Sequence, residues 1–361
     1  MKKHTFGLVF FLVILTVAAG AAWYYGHPFR RRYSARSLHA ALSSYKTEQV
    51  AKIRISWRDV HSTMRLENGR WILEERGGRP ASVPRISALL NSLATLSPVK
   101  ELRNPAPEIL RELRLVDSDP KLVPGVRVVL SDAAGKELFN LLLGKGHFVR
   151  PEPGLPPSPN AEGRYVLTGG RVYLIPVVFE NCHPVPSAWV EPLRLYELRK
   201  ALRMSVLRFE QDRAKMVWSV FRKSTAHPFT LVYPAGKKAE NQLLSGLADH
   251  LSKPFTSDYF TEEKDQKLVR KQRLNIHCAD GFTYVLDLFE GKGAYDAVAL
   301  QIRYDARQVI RFPGETDLQY RQRCEQLRKR FDFENGYCAG QRFKTTRELS
   351  RLLDIIPEKI K

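Results

Sequence analysis

Apolar and polar residues alternate in several short segments of the first half of the chain. Lys52 to Trp57, Thr63 to Glu67 and Arg70 to Glu74 place apolar side chains at every second, or nearly every second, position. This period is typical of β-strands that bury one face. Asn68-Gly69 stands between two of these segments and predicts a tight hairpin turn.

A helical period then replaces the alternation. Residues 83–96 (VPRISALLNSLATL) carry apolar residues three and four positions apart, which predicts a helix with Pro84 in its first turn. A shorter helix is predicted from Pro107 to Leu115. Alternating segments return and predict further strands at Val126 to Leu130, Leu138 to Leu143, Tyr165 to Leu167 and Val172 to Ile175.

The second half of the chain repeats this order. Strands are predicted at Ser205 to Phe209, Met216 to Phe221, Phe229 to Tyr233, Leu274 to Cys278 and Phe282 to Phe289. A helix from Ala239 to Leu251 separates the third of these from the fourth, and its LLSGLADHL shares the pattern L-L-x-x-L-A with LLNSLATL in the first half. A repeated order of elements indicates an internal duplication.

Two stretches of nine residues support the duplication. Residues 138–146 read LFNLLLGKG and residues 285–293 read VLDLFEGKG. Neither is a nucleotide-binding loop, because the pattern G-x-x-x-x-G-K-[ST] needs an earlier glycine and a following hydroxyl. We interpret them as equivalent strands that end in tight glycine turns.

These patterns predict an α+β protein with two related sheet-and-helix domains. The predicted domains are residues 50–180 and 204–312, joined by a connector at 181–203. Residues 1–26 precede them as a membrane segment and residues 27–49 as a basic stalk, and a basic helical tail comes last at 313–361.

The start of the chain has the strongest single signal. Phe6 to Gly26 carries no charge over 21 residues, which as a helix would reach about 31 Å and span the roughly 30 Å bilayer core. It reads either as a retained anchor or as a cleaved signal peptide, and we favour the anchor because it has full spanning length and ends in Trp23, Tyr24 and Tyr25. The basic cluster at residues 30–36 would favour a cytoplasmic location for the bulk of the chain, whereas an export-type start favours the outside.

The formal net charge is +20, from 58 basic and 38 acidic residues in a chain of 361. Such a charge favours anionic surfaces, including phospholipid, envelope polymers and nucleic acid. Residues 316–331 (TDLQYRQRCEQLRKRF) predict a basic helix, and five of its residues form a candidate interaction surface: Arg321, Arg323, Arg328, Lys329 and Arg330. The alternative for these five residues is a solvated helix face.

Motifs for catalysis are missing from the sequence. It has no H-E-x-x-H, no G-x-S-x-G and no Rossmann glycine pattern, so we predict a non-enzyme with no cofactor, no metal site and no catalytic residues. The four cysteines form no C-x-x-C pair. The sequence does not decide whether Cys324 and Cys338 form a disulfide. The proline-rich residues 151–160 predict a surface loop.

The order of these elements resembles a bacterial family, domain of unknown function 4340. The resemblance rests on L-L-x-x-L, on the apolar strand closing in G-K-G and on RYVLTGGRVYLIP at residues 164–176, and it covers about residues 50–310. It implies a single-pass protein of the bacterial inner membrane with its bulk in the periplasm, encoded beside ABC-2 type transporter permeases. The insert at 151–160 and the basic C-terminus depart from the family pattern.

The sequence and the resemblance together predict a non-catalytic accessory or substrate-engaging subunit of an envelope ABC-type transport system. Its expected partner is a transporter permease or auxiliary membrane subunit, and nucleic acid is not expected. The first alternative is a module that binds an anionic envelope polymer or lipid, and the second is an enzyme without a recognisable motif.

Overall fold

The structure is a computed structural model that describes residues 45–116, 124–148, 161–195, 198–210, 213–235, 241–260, 268–291 and 294–358. The predicted membrane segment at residues 6–26, the predicted stalk up to residue 44 and the proline-rich insert at 151–160 lie outside these residues. Within the described ranges, no helix combines the length and the apolar character needed to cross a membrane.

The first sheet contains nine strands in the described part of the chain, and it is mainly antiparallel. Its strands lie in the order β4-β3-β2-β1-β6-β7-β8-β9-β5. Their bounds are β1 Lys52–Trp57, β2 Val60–Glu67, β3 Arg70–Leu73, β4 Arg79–Pro80, β5 Lys100–Leu102, β6 Val126–Ser131, β7 Glu137–His147, β8 Gly163–Thr168 and β9 Arg171–Ile175. Helices α1 (Val83–Ala94) and α2 (Pro107–Glu112) lie between β4 and β6 in the chain.

The second sheet contains eight described strands and is antiparallel. The order is β12-β11-β10-β14-β15-β16-β17-β13. The bounds are β10 Ala201–Glu210, β11 Arg213–Phe221, β12 Thr230–Tyr233, β13 Thr256–Tyr259, β14 Arg270–Cys278, β15 Asp280–Phe289, β16 Tyr295–Val309 and β17 Phe343–Thr346. Helices α3 (Asn241–Ser252), α4 (Asp317–Cys338) and α5 (Glu348–Glu358) belong to this half. Short 3₁₀ turns occupy Thr47–Gln49, Glu74–Arg76, Pro186–Trp189 and Leu198–Lys200.

The two sheets have the same strand order once the two-residue strand β4 is set aside. β3-β2-β1-β6-β7-β8-β9-β5 corresponds, strand by strand in chain order, to β12-β11-β10-β14-β15-β16-β17-β13. In both halves a helix follows the third strand counted along the chain: α1 follows β3, with β4 between them, and α3 follows β12. The α+β class with two sheets is therefore confirmed.

The twin nine-residue stretches lie on equivalent strands, β7 and β15. Phe139 on β7 pairs with Leu130, which pairs on its other side with Ile53. The equivalent row in the second sheet joins Leu286, Leu274 and Val206. All six side chains are buried, so the repeated sequence supplies the same core position twice.

The glycine turn predicted at the end of the first stretch is wrong. β7 continues through Gly144 and Gly146 to His147. Gly144 is required for another reason, because a Cβ there would collide with the backbone oxygen of Leu113. In the second stretch a Cβ on Gly291 would meet the oxygen of Tyr295 in the same way, and Lys292-Gly293 lie outside the described residues.

The predicted local elements are otherwise close to those observed. The first predicted helix is α1, and its Ile86, Leu89, Leu90 and Leu93 are buried. Asn68 and Gly69 both have positive φ between β2 and β3, as a tight hairpin needs. The predictions missed strands β4, β5, β13, β16 and β17 and helix α5, and the basic helix runs to Cys338 rather than Phe331.

Two compact units divide the chain. One consists of Met1–Thr63 and Pro84–Pro184, and the other of Met64–Val83 and Val185–Lys361. In the first unit Ile53, Ile55, Val128 and Leu130 are fully buried. In the second unit the largest fully buried side chains are aromatic: Trp189, Trp218, Tyr259, Phe282, Tyr284 and Phe343. The domain limits given from the sequence stay a prediction.

Candidate functional site

The five cationic residues predicted as an interaction surface all lie on α4. The helix begins with a capping box, in which the backbone N–H of Gln319 donates to the hydroxyl of Thr316. Arg328 lies 3.4 Å from Asp332 and Lys329 lies 3.3 Å from Glu325, each one turn away on the same helix. These two pairs are exposed and contribute little stability, but they partly neutralise the basic face.

Arg330 is the most enclosed of the five. Its guanidinium donates to Glu334 at 2.6 Å and to the hydroxyl of Tyr284 at 2.8 Å, and it lies over the ring of Phe282. Asp280, a buried carboxylate, is 3.8 Å away. Burial raises the pKa of the Tyr284 hydroxyl. Arg330 therefore connects α4 to strand β15 of the sheet.

Arg323 is also committed to contacts inside the unit. It forms a two-point ion pair with Glu315, at 2.8 and 2.7 Å, and lies 4.2 Å from the ring centre of Phe312. The Arg323 side chain holds the pKa of the Glu315 carboxyl below its usual range. These groups line an open cleft of about 470 Å³ together with Gln319, Gln322 and Gln326. Because its charges are already paired, the cleft offers no net charge to a ligand.

Arg321 is exposed.

The chain has two cysteine–histidine neighbours, Cys182-His183 and His277-Cys278. Cys278 is buried whereas His277 is exposed on the opposite face of β14, as alternation along a strand requires. Burial raises the pKa of the Cys182 thiol to about 12 and also raises that of Cys278, so neither thiol ionises readily. The described residues contain no group of three or more His, Cys, Asp or Glu side chains placed to hold a metal ion.

All four cysteines are free. The disulfide that the sequence left open between Cys324 and Cys338 is absent because both residues lie on α4. Fourteen residues of helix separate their Cα atoms by about 21 Å, whereas a disulfide needs a separation of about 4.4–6.8 Å.

One face of the second sheet carries the exposed residues Arg203, His277, Gln301 and Arg303 and is here called the open face. Met204, Leu274, Ile276 and Leu286 point to the buried face. The residues between them point the other way, because successive side chains of a strand alternate. The strand register then orders the open face into rows that run across neighbouring strands.

The upper row crosses five strands. It joins Phe221, Arg203, His277, Thr283 and Arg303, each paired with the next across β11, β10, β14, β15 and β16. Arg203, His277 and Arg303 are exposed, and 42% of the Phe221 side chain is accessible. Two arginines and an aromatic ring therefore share one line on the surface.

The middle row carries no charge and consists of four polar residues and one valine. It joins Ser219, Ser205, Asn275, Val285 and Gln301. The Asn275 amide donates to the Ser205 hydroxyl at 3.4 Å, and Gln301 is exposed. Ser219, Ser205 and Val285 are buried, so the accessible polar groups of this row are the amides of Asn275 and Gln301, which both donate and accept hydrogen bonds.

A carboxylate occurs only in the lower row, which joins Leu207, Arg273, Asp287 and Ala299. Asp287 is buried, accepts two hydrogen bonds from Arg273 at 2.7 and 2.8 Å and lies 3.7 Å from Arg270. Phe209 lies beside both guanidinium groups. The one acid of the three rows is thus neutralised, and the open face keeps the positive charge of Arg203 and Arg303.

The surroundings of His277 favour its neutral form. Although the residue is exposed, partial burial of its ring and the nearby Arg203 lower its pKa. Its Nδ1 lies 3.1 Å from the Thr283 hydroxyl on the adjacent strand. The neutral imidazole can donate one hydrogen bond and accept another.

Strand β16, which is longer than its equivalent in the first sheet, extends the open face. β16 has 15 residues, whereas its equivalent β8 has 6. Gln301 and Arg303 belong to this longer strand. The sequence predictions missed the open face because they did not predict β16. The signal was alternation, since polar residues alternate with apolar ones at Arg273, Asn275 and His277 and again at Gln301 and Arg303.

Comparisons of this chain with protein-family models, with curated proteins and with solved structures give no match.

Proposed function

We propose that the chain is a non-catalytic, membrane-anchored accessory or substrate-engaging subunit of a bacterial envelope ABC-type transport system. The resemblance in the order of its motifs and the apolar segment at residues 6–26 support this proposal. The matching strand order of the two sheets supports a duplication behind that motif order.

The open face is the observation that carries the binding function. It exposes charged, amide and aromatic side chains on four of its five adjacent strands: β11, β10, β14 and β16. Side chains placed on a hydrogen-bonded sheet are held in fixed relative positions, which favours recognition of a partner. The pairing of Arg323 and Arg330 with acids makes α4 a weaker candidate for the contact surface.

Site-specific photo-crosslinking in intact cells tests the proposal. A photoreactive amino acid replaces Gln301 on the open face, and a matched variant carries it at Asp249, an exposed position on α3. After extraction in mild detergent, mass spectrometry identifies the joined proteins. We expect permease or ATPase subunits of a transporter from Gln301 and few or none from Asp249. Recovery of a lone, uncrosslinked monomer from both variants would overturn the proposal.

A second candidate function is a module that binds an anionic envelope polymer or lipid. It is favoured by the upper row, in which Arg203 and Arg303 have no carboxylate between them. Binding through such exposed charges falls steeply as salt rises. Binding to anionic liposomes or polymers that is unchanged between low and high salt would remove this candidate.

A further inference from the structure

We infer that the open face of the second sheet binds a linear acidic polysaccharide, with the upper row taking its anionic groups and the middle row its hydroxyls. The inference rests on the proposed use of the open face, but it requires no transporter partner.

The separation of the two arginines indicates a polymer. Arg203 on β10 and Arg303 on β16 are three strand spacings apart in the upper row, which places their Cα atoms roughly 14 Å from each other. This separation is longer than one sugar ring. A chain that lies across the strands can present one acidic group to each arginine.

Arginine suits the acidic groups of such a chain. Its planar guanidinium can donate two parallel hydrogen bonds to a carboxylate or a phosphate. The absence of a carboxylate from the upper and middle rows leaves no competing acid there, and Asp287 in the lower row is already held by Arg273.

The polar groups between the arginines indicate a polyhydroxylated ligand. Thr283, His277, Asn275 and Gln301 offer donors and acceptors side by side. Sugar hydroxyls need both kinds of partner. At one end of the upper row, the exposed ring of Phe221 offers an apolar surface on which the apolar face of a sugar ring can rest.

An anionic membrane fits these groups less well. Peripheral membrane surfaces combine basic residues with several apolar side chains that enter the lipid. The upper and middle rows expose one such side chain, Phe221, and their other exposed members are all polar: Arg203, His277, Gln301 and Arg303.

The test measures binding of the full chain, held in nanodiscs of neutral phosphatidylcholine, to polygalacturonate. Dextran serves as the neutral polysaccharide, and vesicles with phosphatidylglycerol serve as the anionic lipid. We expect salt-sensitive binding to polygalacturonate, and little to dextran or to the vesicles.

Two double variants with equal loss of charge locate the site. Arg203→Gln with Arg303→Gln changes the open face, whereas Arg321→Gln with Arg351→Gln changes two exposed arginines on α4 and α5. We expect the first pair to weaken polygalacturonate binding by at least about tenfold and the second by less than about twofold. Gln301→Leu, which keeps the charge, should weaken it several-fold. Circular dichroism confirms that each variant is folded.

Three results would overturn the inference: equal losses in both double variants, binding of vesicles in preference to polygalacturonate, or no salt-sensitive binding to the polysaccharide. The crosslinking test can fail while polysaccharide binding persists, and the reverse also holds, so the two proposals are distinguished.

Discussion

Arg76 and Asp258 form a two-point ion pair although 182 positions separate them in the chain. The Arg76 guanidinium donates at 2.9 and 2.7 Å to the two carboxylate oxygens, and the Asp258 side chain is only 10% exposed. Asp258 also accepts the backbone N–H of Tyr259 at 2.7 Å. The pair ties the 3₁₀ turn after β3 to strand β13 within the second unit.

Arg76→Ala should destabilise the protein by about 3 kcal/mol, because it leaves a largely buried carboxylate without its cation. Arg328→Ala is the matched control: its ion pair with Asp332 is exposed, and we expect a change within about 0.5 kcal/mol. Urea unfolding measures both. Equal effects from the two substitutions would show that Arg76 does not hold the turn in place.

Gly144→Ala and Gly246→Ala should change stability in opposite directions. A methyl group on Gly144 meets the Leu113 carbonyl and the Leu115 side chain, so we expect a loss of about 2 kcal/mol. Gly246 lies in α3 with no atom near its Cβ position, so alanine should add about 0.5–1 kcal/mol through helix propensity. Thermal unfolding of the two variants gives the signs, and a stabilised Gly144→Ala would contradict the steric argument.

Arg330 and Arg321 should behave differently although both belong to the basic helix. Arg330→Met removes a cation that lies 2.6 Å from Glu334 and 3.8 Å from the buried Asp280, and we expect a loss of about 3 kcal/mol. Arg321→Met changes an exposed side chain and should stay within about 0.5 kcal/mol. Denaturant unfolding separates the two cases. An unchanged free energy of unfolding in Arg330→Met would show that Arg330 behaves as an exposed surface cation.

Native alkylation should modify one cysteine of the four. Cys324 is half-buried, whereas Cys182, Cys278 and Cys338 are buried, and burial raises the pKa of Cys182 and of Cys338 to about 12. We therefore expect one fast adduct in folded protein by intact mass. In denaturant without reductant, four adducts should form. Two adducts in denaturant would instead reveal a disulfide.

His277 should make the folded protein less stable in mild acid. Burial and Arg203 lower its pKa in the folded state, while in the unfolded chain it titrates near its ordinary value of about 6.5. As the pH falls below about 6.5, the unfolded chain binds more protons than the folded one, and the free energy of unfolding drops. His277→Gln should reduce this drop between pH 7.5 and 5, as measured by urea unfolding.

Arg203→Gln provides the control for His277. Without the positive neighbour, the folded-state pKa of His277 moves back toward its ordinary value, so the acid loss should shrink in part. Identical pH profiles for the native chain and both variants would exclude His277 as the source.

Local elements of this protein were predictable because they depend on residues near one another in the chain. The spacing of Ile86, Leu89 and Leu93 is enough to specify the buried side of α1. The twin stretches at 138–146 and 285–293 pointed to equivalent strands, which the register of Phe139 and Leu286 bears out. The glycine turn after the first stretch was mispredicted because Gly144 is required by the close approach of the Leu113 backbone. Leu113 is near Gly144 in space but not in the sequence.

The sequence by itself determined the α+β class, the alternation of most strands and the presence of two similar series of elements. Only the tertiary structure decided that Arg323 and Arg330 of α4 contact residues outside the helix, and that Phe221, Arg203, His277, Thr283 and Arg303 form one row. The physical reason is that such rows depend on the order and register of strands, and a shift of one residue would turn every side chain to the opposite face.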